Sequence, residues 1–393
     1  MRTSKVAVVH PLFGWGGSEA VAAWVLHSLQ DEHHLTLLTF DQKITVERLN
    51  SFYGTRIDGE KVKIRRVQGL SLLNKNMSKF AVLRQHLMMR ECKKLAQDFD
   101  LFFSTYNEMD FGKPGLQYIH FPFLANYEYL RLKEENFSRV WYHRPNLLRN
   151  VYLKIGQIIS NYNESKMLEN LTLVNSRWTG EVFQKNYGVD VKVLYPPVYI
   201  PNKEVLLVRY PFDERESGFV CVGRIEPTKR ILEIVEILEI VRKMGVKIHL
   251  HIAGRVGDKD YYRQIANVAN KNSDWVFIHN NLDRLALAEL LASHKYGIHA
   301  RVNEHFGIVV GEMIALGLIP FVHKSGGQVE MVQSEILTFL DKEEAARKIY
   351  SVISDPGVEQ DLREKLKDAA KELEIDNFVR KVREYVREFL KNS

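Results

Sequence analysis

The sequence predicts an α/β chain made of two doubly wound domains in tandem. Three observations carry this reading. Short apolar runs alternate with amphipathic runs along the whole chain, as in parallel strands joined by helices. Tyr195-Pro196-Pro197 and Pro201 break that series near its middle, where proline removes donors and fixes the backbone. A second strand–loop–helix series then begins at Gly218. The 393 residues suit two or three domains of roughly 150 residues.

Lys5–His10 is the first apolar run, followed by a glycine loop (Gly14, Gly16, Gly17), an amphipathic run Ser18–Leu29 and a second apolar run Leu35–Phe40. Further strand-like runs are Val62–Val67, Leu101–Ser104, Leu116–His120 and Leu171–Asn175, with helical patterns over Met77–Gln97 and Arg139–Asn161. Leu194–Arg215 reads as an irregular linker. The second series has strands at Gly218–Gly223, Val246–Ala253, Trp275–Ile278, Gly297–Ala300, Ile319–His323 and Leu337–Leu340, with a helix over Lys229–Met244. Ile375–Leu390 carries an apolar stripe at helical spacing that something must cover;. Three parts follow: 1–195, 196–375 and the final helix 376–393.

Apolar residues make up 45% and charged residues 26%, which excludes collagen-like and disordered classes. Two cysteines, Cys92 and Cys221, are too few for a disulfide framework and point to a reducing compartment. No run of about 20 apolar residues exists to span a bilayer, so the chain is expected to be cytoplasmic. The net charge of +6 is uneven. Residues 1–195 hold 26 basic against 19 acidic groups, and the remainder 29 against 30. Lys61–Leu95 holds ten positive side chains against Glu91 alone, interleaved with apolar residues. Such a stretch is either the solvated face of an inward-packed helix or a surface for anionic lipid. No nucleic-acid motif accompanies it.

Four clusters carry chemistry. Gly14–Glu19 (GWGGSE) joins the first strand to the first helix, where glycine permits close approach and helix amides attract anions. With Asp41 it also offers a nicotinamide reading, although Glu19 occupies the third glycine position of that fingerprint;. Arg224 and Lys229 flank a proline turn after the first strand of the second series, at the sheet end where ligands bind. A planar fork and a point charge there suit a diphosphate. Arg301–Glu312 (RVNEHFGIVVGE) places Glu304 on a loop and Glu312 inside a helix opened by Phe306, Gly307 and Ile308. Glu312 stands alone among apolar residues, and a buried carboxylate needs a partner. Asn280 and the glycine loop Lys324–Gly327 are candidate edge contacts or plain turns;. His120, in Tyr118–Pro122, ends a strand of the first series. The histidines and cysteines show no metal-ligand spacing;.

Tandem α/β domains, a glycine loop after the first strand, G-R-x4-K and E-x7-E together resemble the retaining nucleotide-sugar glycosyltransferases of family 4, with the GT-B fold. Tyr118–Pro122, Val174–Thr179, Leu194–Val198 and Asn303–Gly327 resemble, within that family, the GDP-mannose-dependent α-1,2-mannosyltransferases of dolichol-linked N-glycan core assembly. The chain departs from them at Glu19-Ala20, where they tend to carry Glu-Arg. The resemblance implies two Rossmann-like domains facing a cleft, an acceptor-binding 1–195, a donor-binding 196–375 and a last helix crossing back to the first domain. It implies that Arg224 and Lys229 hold the donor diphosphate, Glu304 the sugar hydroxyls and Glu312 the ribose. It places Phe306–Ile308 amides on sugar and phosphate, Gly16 and Gly17 near donor and acceptor, and His120 near the reacting carbon. The implied reaction moves a hexose, mannose from GDP-mannose, to a glycan or a polyprenyl- or dolichol-linked saccharide. It needs no metal and no cofactor beyond the donor itself. A lipid-linked acceptor would bring residues 61–95 to an anionic membrane surface. A UDP-sugar donor for glycolipid or polysaccharide synthesis is the alternative, and a non-catalytic nucleotide-sugar-binding module the rival from another class.

Overall fold

The computed structural model describes residues 3–68, 80–124 and 147–392. Two compact units divide the chain: Met1–Pro197 with Asp376–Ser393, and Val198–Ile375.

The first unit holds a parallel sheet of strands β1 (Lys5–Val9), β2 (His34–Thr39), β3 (Val62–Arg66), β4 (Leu101–Ser104), β5 (Leu116–Ile119), β6 (Leu171–Val174) and β7 (Lys192–Val193). Their order is β3-β2-β1-β4-β5-β6-β7. Val6–Val9 and Leu101–Phe103 are fully buried, because crossover helices cover both faces of a parallel sheet. The second unit repeats the plan with β8 (Glu216–Val222), β9 (Leu250–Gly254), β10 (Val276–Asn280), β11 (His294–His299), β12 (Ile319–His323) and β13 (Thr338–Phe339). Their order is β10-β9-β8-β11-β12-β13. The order reverses between β1 and β4 and between β8 and β11, and the loops leaving those strands open the crevice where such sheets take ligands.

One expectation changes: the linker 194–215 contains a helix, Lys203–Arg209. Within the basic stretch, Val62–Arg66 is the expected strand, and the described helix is Ala81–Lys94. The expected helical residues 77–79 and 139–146 lie outside the described residues. The apolar groups of Ala81–Lys94 are spent inward, since Met88, Met89 and Cys92 pack in a core with Ala7, Val9 and Phe102. Arg84 is itself buried, and Lys93 holds Asp110 at 2.6 Å. Met88, Met89 and Cys92 are therefore taken up by the core. No described helix is long and apolar enough to cross a membrane.

Candidate functional site

In the second unit, β8 leads through Gly223 to a tight 3-10 turn, Pro227–Lys229. A Cβ on Gly254 would stand 1.8 Å from the Gly223 carbonyl oxygen, so glycine alone lets the ends of β8 and β9 meet this closely. The Lys229 stem lies over Gly223. Its ammonium reaches Glu304 Oε2 at 2.8 Å.

Glu304 follows β11 and is only 9% exposed. Burial alone would raise its pKa, but Lys229, Arg301 and His299 outweigh that and hold it well below the usual carboxylate range. His299 Nε2 lies 3.0 Å from the same Oε2, and Arg301 Nη1 lies 3.5 Å from Oε1. Burial lowers the pKa of His299, so the ring is neutral and donates its Nε2 proton to the carboxylate. The loop Lys324–Gly327 acts on the same residue. Gly327 N donates to Glu304 O at 2.8 Å, and Gly326 bridges the Glu304 backbone.

Gly307, at φ +89°, caps the helix Ile308–Ala315 without a side-chain bond. Its Cβ position is 3.3 Å from Glu304 Cγ. The helix start, carrying about half a positive charge, thus sits beside Glu304. Phe306 is buried and anchors this turn.

Glu312 lies one turn further on and is 5% exposed. Its carboxylate is not alone, which corrects the argument from isolation: Arg284 Nη2 stands 2.8 Å from Oε1 and also donates to Tyr199 O. Arg224 is exposed and pairs with Glu226 Oε2 at 3.1 Å. Asn280 ends β10 and donates to the Tyr262 hydroxyl at 2.8 Å. Glu304 therefore touches both Lys229 and the Gly307 turn, while Arg224, Glu312 and Asn280 have other immediate partners.

In the first unit, Gly16 caps the helix Gly17–Leu29. The Gly14 and Gly16 amides donate to Glu19 at 2.9 and 3.0 Å. The anion on these amides is thus the chain's own carboxylate. Asp41 is likewise engaged: its Oδ1 accepts from the Lys43 and Ile44 amides at 2.8 and 3.1 Å. It serves its own turn, which removes the motive for the nicotinamide reading.

His120 follows β5 and sets Nε2 3.1 Å from the Thr105 carbonyl. A carbonyl only accepts, so Nε2 carries the proton and Nδ1 keeps its lone pair. Burial pushes its pKa down to about 4, which keeps it neutral near pH 7. Asn107 Oδ1 fixes the turn by accepting from the His120 and Phe121 amides at 2.8 and 3.1 Å. Buried Glu108 accepts from Phe123 and Leu124. His10, at the end of β1, places Nδ1 3.0 Å from Thr105 Oγ1.

Sequence reasoning missed His299, Arg284, Glu19 and His10. His299 and His10 had a usable signal, since each lies at the carboxyl end of a strand. Arg284 had none: it opens the helix Arg284–Ala292, 28 residues before Glu312 in sequence, and only the fold brings the two side chains together.

Residues 202–373 match the family model described as glycosyl transferases group 1. A Dictyostelium discoideum protein named GDP-Man:Man(3)GlcNAc(2)-PP-Dol alpha-1,2-mannosyltransferase is 26% identical over 263 residues, covering 62% of this chain and 51% of the relative. The Homo sapiens protein of the same name is 24% identical over 265 residues, covering 60% and 53%. The chain thus spans about half the length of these curated relatives. Among solved structures, a glycosyltransferase from Rickettsia africae superposes with TM-score 0.68 at 18% identity, covering 100% of both chains. Sucrose-phosphate synthase from Thermosynechococcus elongatus does so with TM-score 0.70 at 14% identity, again over 100% of both. Residues 202–373 are therefore similar to the glycosyl transferases group 1 family, in a chain with the GT-B fold.

Proposed function

We propose that this chain is a retaining mannosyltransferase, moving mannose from GDP-mannose to a polyprenyl- or dolichol-linked saccharide. The observation that carries the reading is the Lys229–Glu304 contact of 2.8 Å beside the Gly307 helix start. It sets a cation and helix amides for a diphosphate next to a dry carboxylate for sugar hydroxyls. The relatives named above supply the choice of donor and acceptor over the UDP-sugar alternative.

In this reading the donor C–O bond breaks as negative charge grows on the departing diphosphate. Arg224, Lys229 and the helix start stabilise that charge as preorganised electrostatics. Among the charged groups here, Arg224, Lys229 and Arg301 oppose Glu226 and Glu304, which leaves one net positive charge for the phosphates. The acceptor hydroxyl attacks from the face the diphosphate leaves, and a phosphate oxygen takes its proton. Configuration is thereby retained. Glu304 stays ionised and accepts from sugar hydroxyls, and Glu312 is assigned to the ribose. Asn280 is assigned an edge contact to the base. Gly16, Gly17 and neutral His120 are assigned to the sugar and acceptor. The reading uses no catalytic metal. The chain would work at a cytoplasmic membrane face, with exposed Lys63, Arg65 and Arg90 offered to anionic lipid by charge.

The test is transfer from a panel of GDP-mannose, UDP-glucose and UDP-GlcNAc to a synthetic polyprenyl-linked saccharide. GDP-mannose is expected to be preferred, and activity is expected to survive exhaustive chelation. Arg224→Ala combined with Lys229→Ala should lower kcat by about 100- to 1000-fold, the usual size for removing such donors. Undiminished transfer by that variant overturns the assignment.

A further inference from the structure

The histidines that look scattered in sequence converge at the starts of three central strands of the second sheet. His249 precedes β9, His251 lies within it, and His294 opens β11. One ring nitrogen of each lies within 4.8 Å of the others. His249 Nε2 is 3.1 Å from His294 Nε2 and 3.3 Å from Glu216 Oε2, at the start of β8. These are the strand starts, whereas the Lys229–Glu304 site lies at the strand ends. Along the seven residues of β8 the two are separated by about 20 Å at 3.3 Å per residue.

We propose that His249, His251, His294 and Glu216 form a binding site for a divalent transition metal, zinc, remote from the transfer site. Two ligands of a tetrahedral zinc, each about 2.0–2.1 Å from the ion, stand about 3.3–3.4 Å apart. The two shortest spacings above already match that separation. Three imidazoles and one carboxylate form a donor set suited to zinc rather than to calcium or magnesium.

The ring orientations support ligation independently. His294 Nδ1 donates to the Leu290 carbonyl at 2.8 Å. That bond fixes the tautomer and leaves the Nε2 lone pair directed at His249. A metal-bound histidine is oriented by this kind of bond. His251 Nδ1 meets His279 Nε2 at 2.7 Å, so His279 can orient His251 in the same way. The backbone also makes room. A Cβ on Gly218 would stand 2.2 Å from His249 Nε2, so the ring rests on β8 only because that residue is glycine. The site is reachable from solvent, since the His249 and Glu216 side chains are 23% and 61% exposed. An ion there would tie together the starts of β8, β9 and β11, whose sequence positions span 79 residues from Glu216 to His294.

The test uses the full, tag-free chain stripped with chelator and dialysed. Equilibrium dialysis with zinc chloride is expected to show one bound equivalent. Cobalt(II) should give the intense visible absorption of a tetrahedral site and be displaced by zinc. His249→Asn with His294→Asn should weaken binding by about 100-fold or more, beyond the effect of losing one orienting group, with far-ultraviolet circular dichroism unchanged. Lys229→Ala should bind zinc as the wild type does, which separates this site from the transfer reaction. Absence of stoichiometric binding by the wild type overturns the proposal, whatever the variants do. So does equal affinity in a folded double variant.

Discussion

Glu304 and Glu312 are both nearly dry, yet they are held in different ways. Glu304 gathers Lys229, Arg301 and His299 around one carboxylate, a cluster assembled where the central strands β8 and β11 end. Glu312 relies on Arg284, whose side chain is 31% exposed while that of Glu312 is only 6% exposed. Removing the cation from a buried pair strands the carboxylate, which commonly costs about 3–5 kcal/mol. Arg284 is partly solvated, so that figure is discounted here. Arg284→Ala is expected to cost about 2 kcal/mol, and Glu312→Gln about 1 kcal/mol because a neutral amide still accepts from Arg284. Urea midpoints of the two variants measure this, and no loss in either variant would show that the pair does not stabilise the fold. The E-x7-E spacing made both carboxylates visible in the sequence. The cation on Glu312 was not visible, because the tertiary fold, rather than chain periodicity, brings Arg284 there.

At the scale of elements, glycine turns hold the site in shape. Gly326 sits at φ +75°, and a Cβ there would meet the Glu304 carbonyl oxygen at 2.2 Å and its amide nitrogen at 2.6 Å. Both are backbone atoms and cannot swing aside. Gly326→Ala combines the left-handed penalty of about 1–2 kcal/mol with displacement of Glu304. A loss above about 2 kcal/mol and weakened donor binding are expected. Gly245 is the control: it has φ +95° but no heavy atom within 4 Å, so Gly245→Ala should cost only about 1 kcal/mol and leave donor binding intact. Urea titration and calorimetry with GDP-mannose check both, and equal effects would deny Gly326 its hold on Glu304. The strands of both sheets were legible because buried parallel strands are continuous apolar runs. The two-residue β7 is too short to leave such a run. The basic helix Ala81–Lys94 misled in the opposite sense: its interleaved pattern was real, but the pattern does not say whether lipid or Phe102 covers Met88 and Met89.

Across the whole molecule, the chain begins one unit, completes the other and then returns. The helix Ile375–Asn392 follows the second unit in sequence, but Asp376–Ser393 belongs to the first. It buries Phe378, Val382 and Val386, the stripe that the sequence required something to cover. Arg387 grips Glu32 with two nitrogens at 3.1 and 2.8 Å, Arg383 Nε donates to Ser28 O at 2.7 Å, and Lys192 meets Glu388 at 3.0 Å. The ion pairs are exposed and contribute little. The three apolar side chains, at about 1.5–3 kcal/mol each, contribute as much as many domains have in total, about 5–15 kcal/mol. A chain ending at Glu374 is therefore expected to lose the first unit selectively. Limited proteolysis with mass spectrometry should release peptides from residues 3–68 far sooner than from the full chain. Peptides from 198–374 should keep their original rate, since their own sheet and core are untouched. Identical digestion of both units in the two chains would show that the returning helix rests on the first unit without stabilising it.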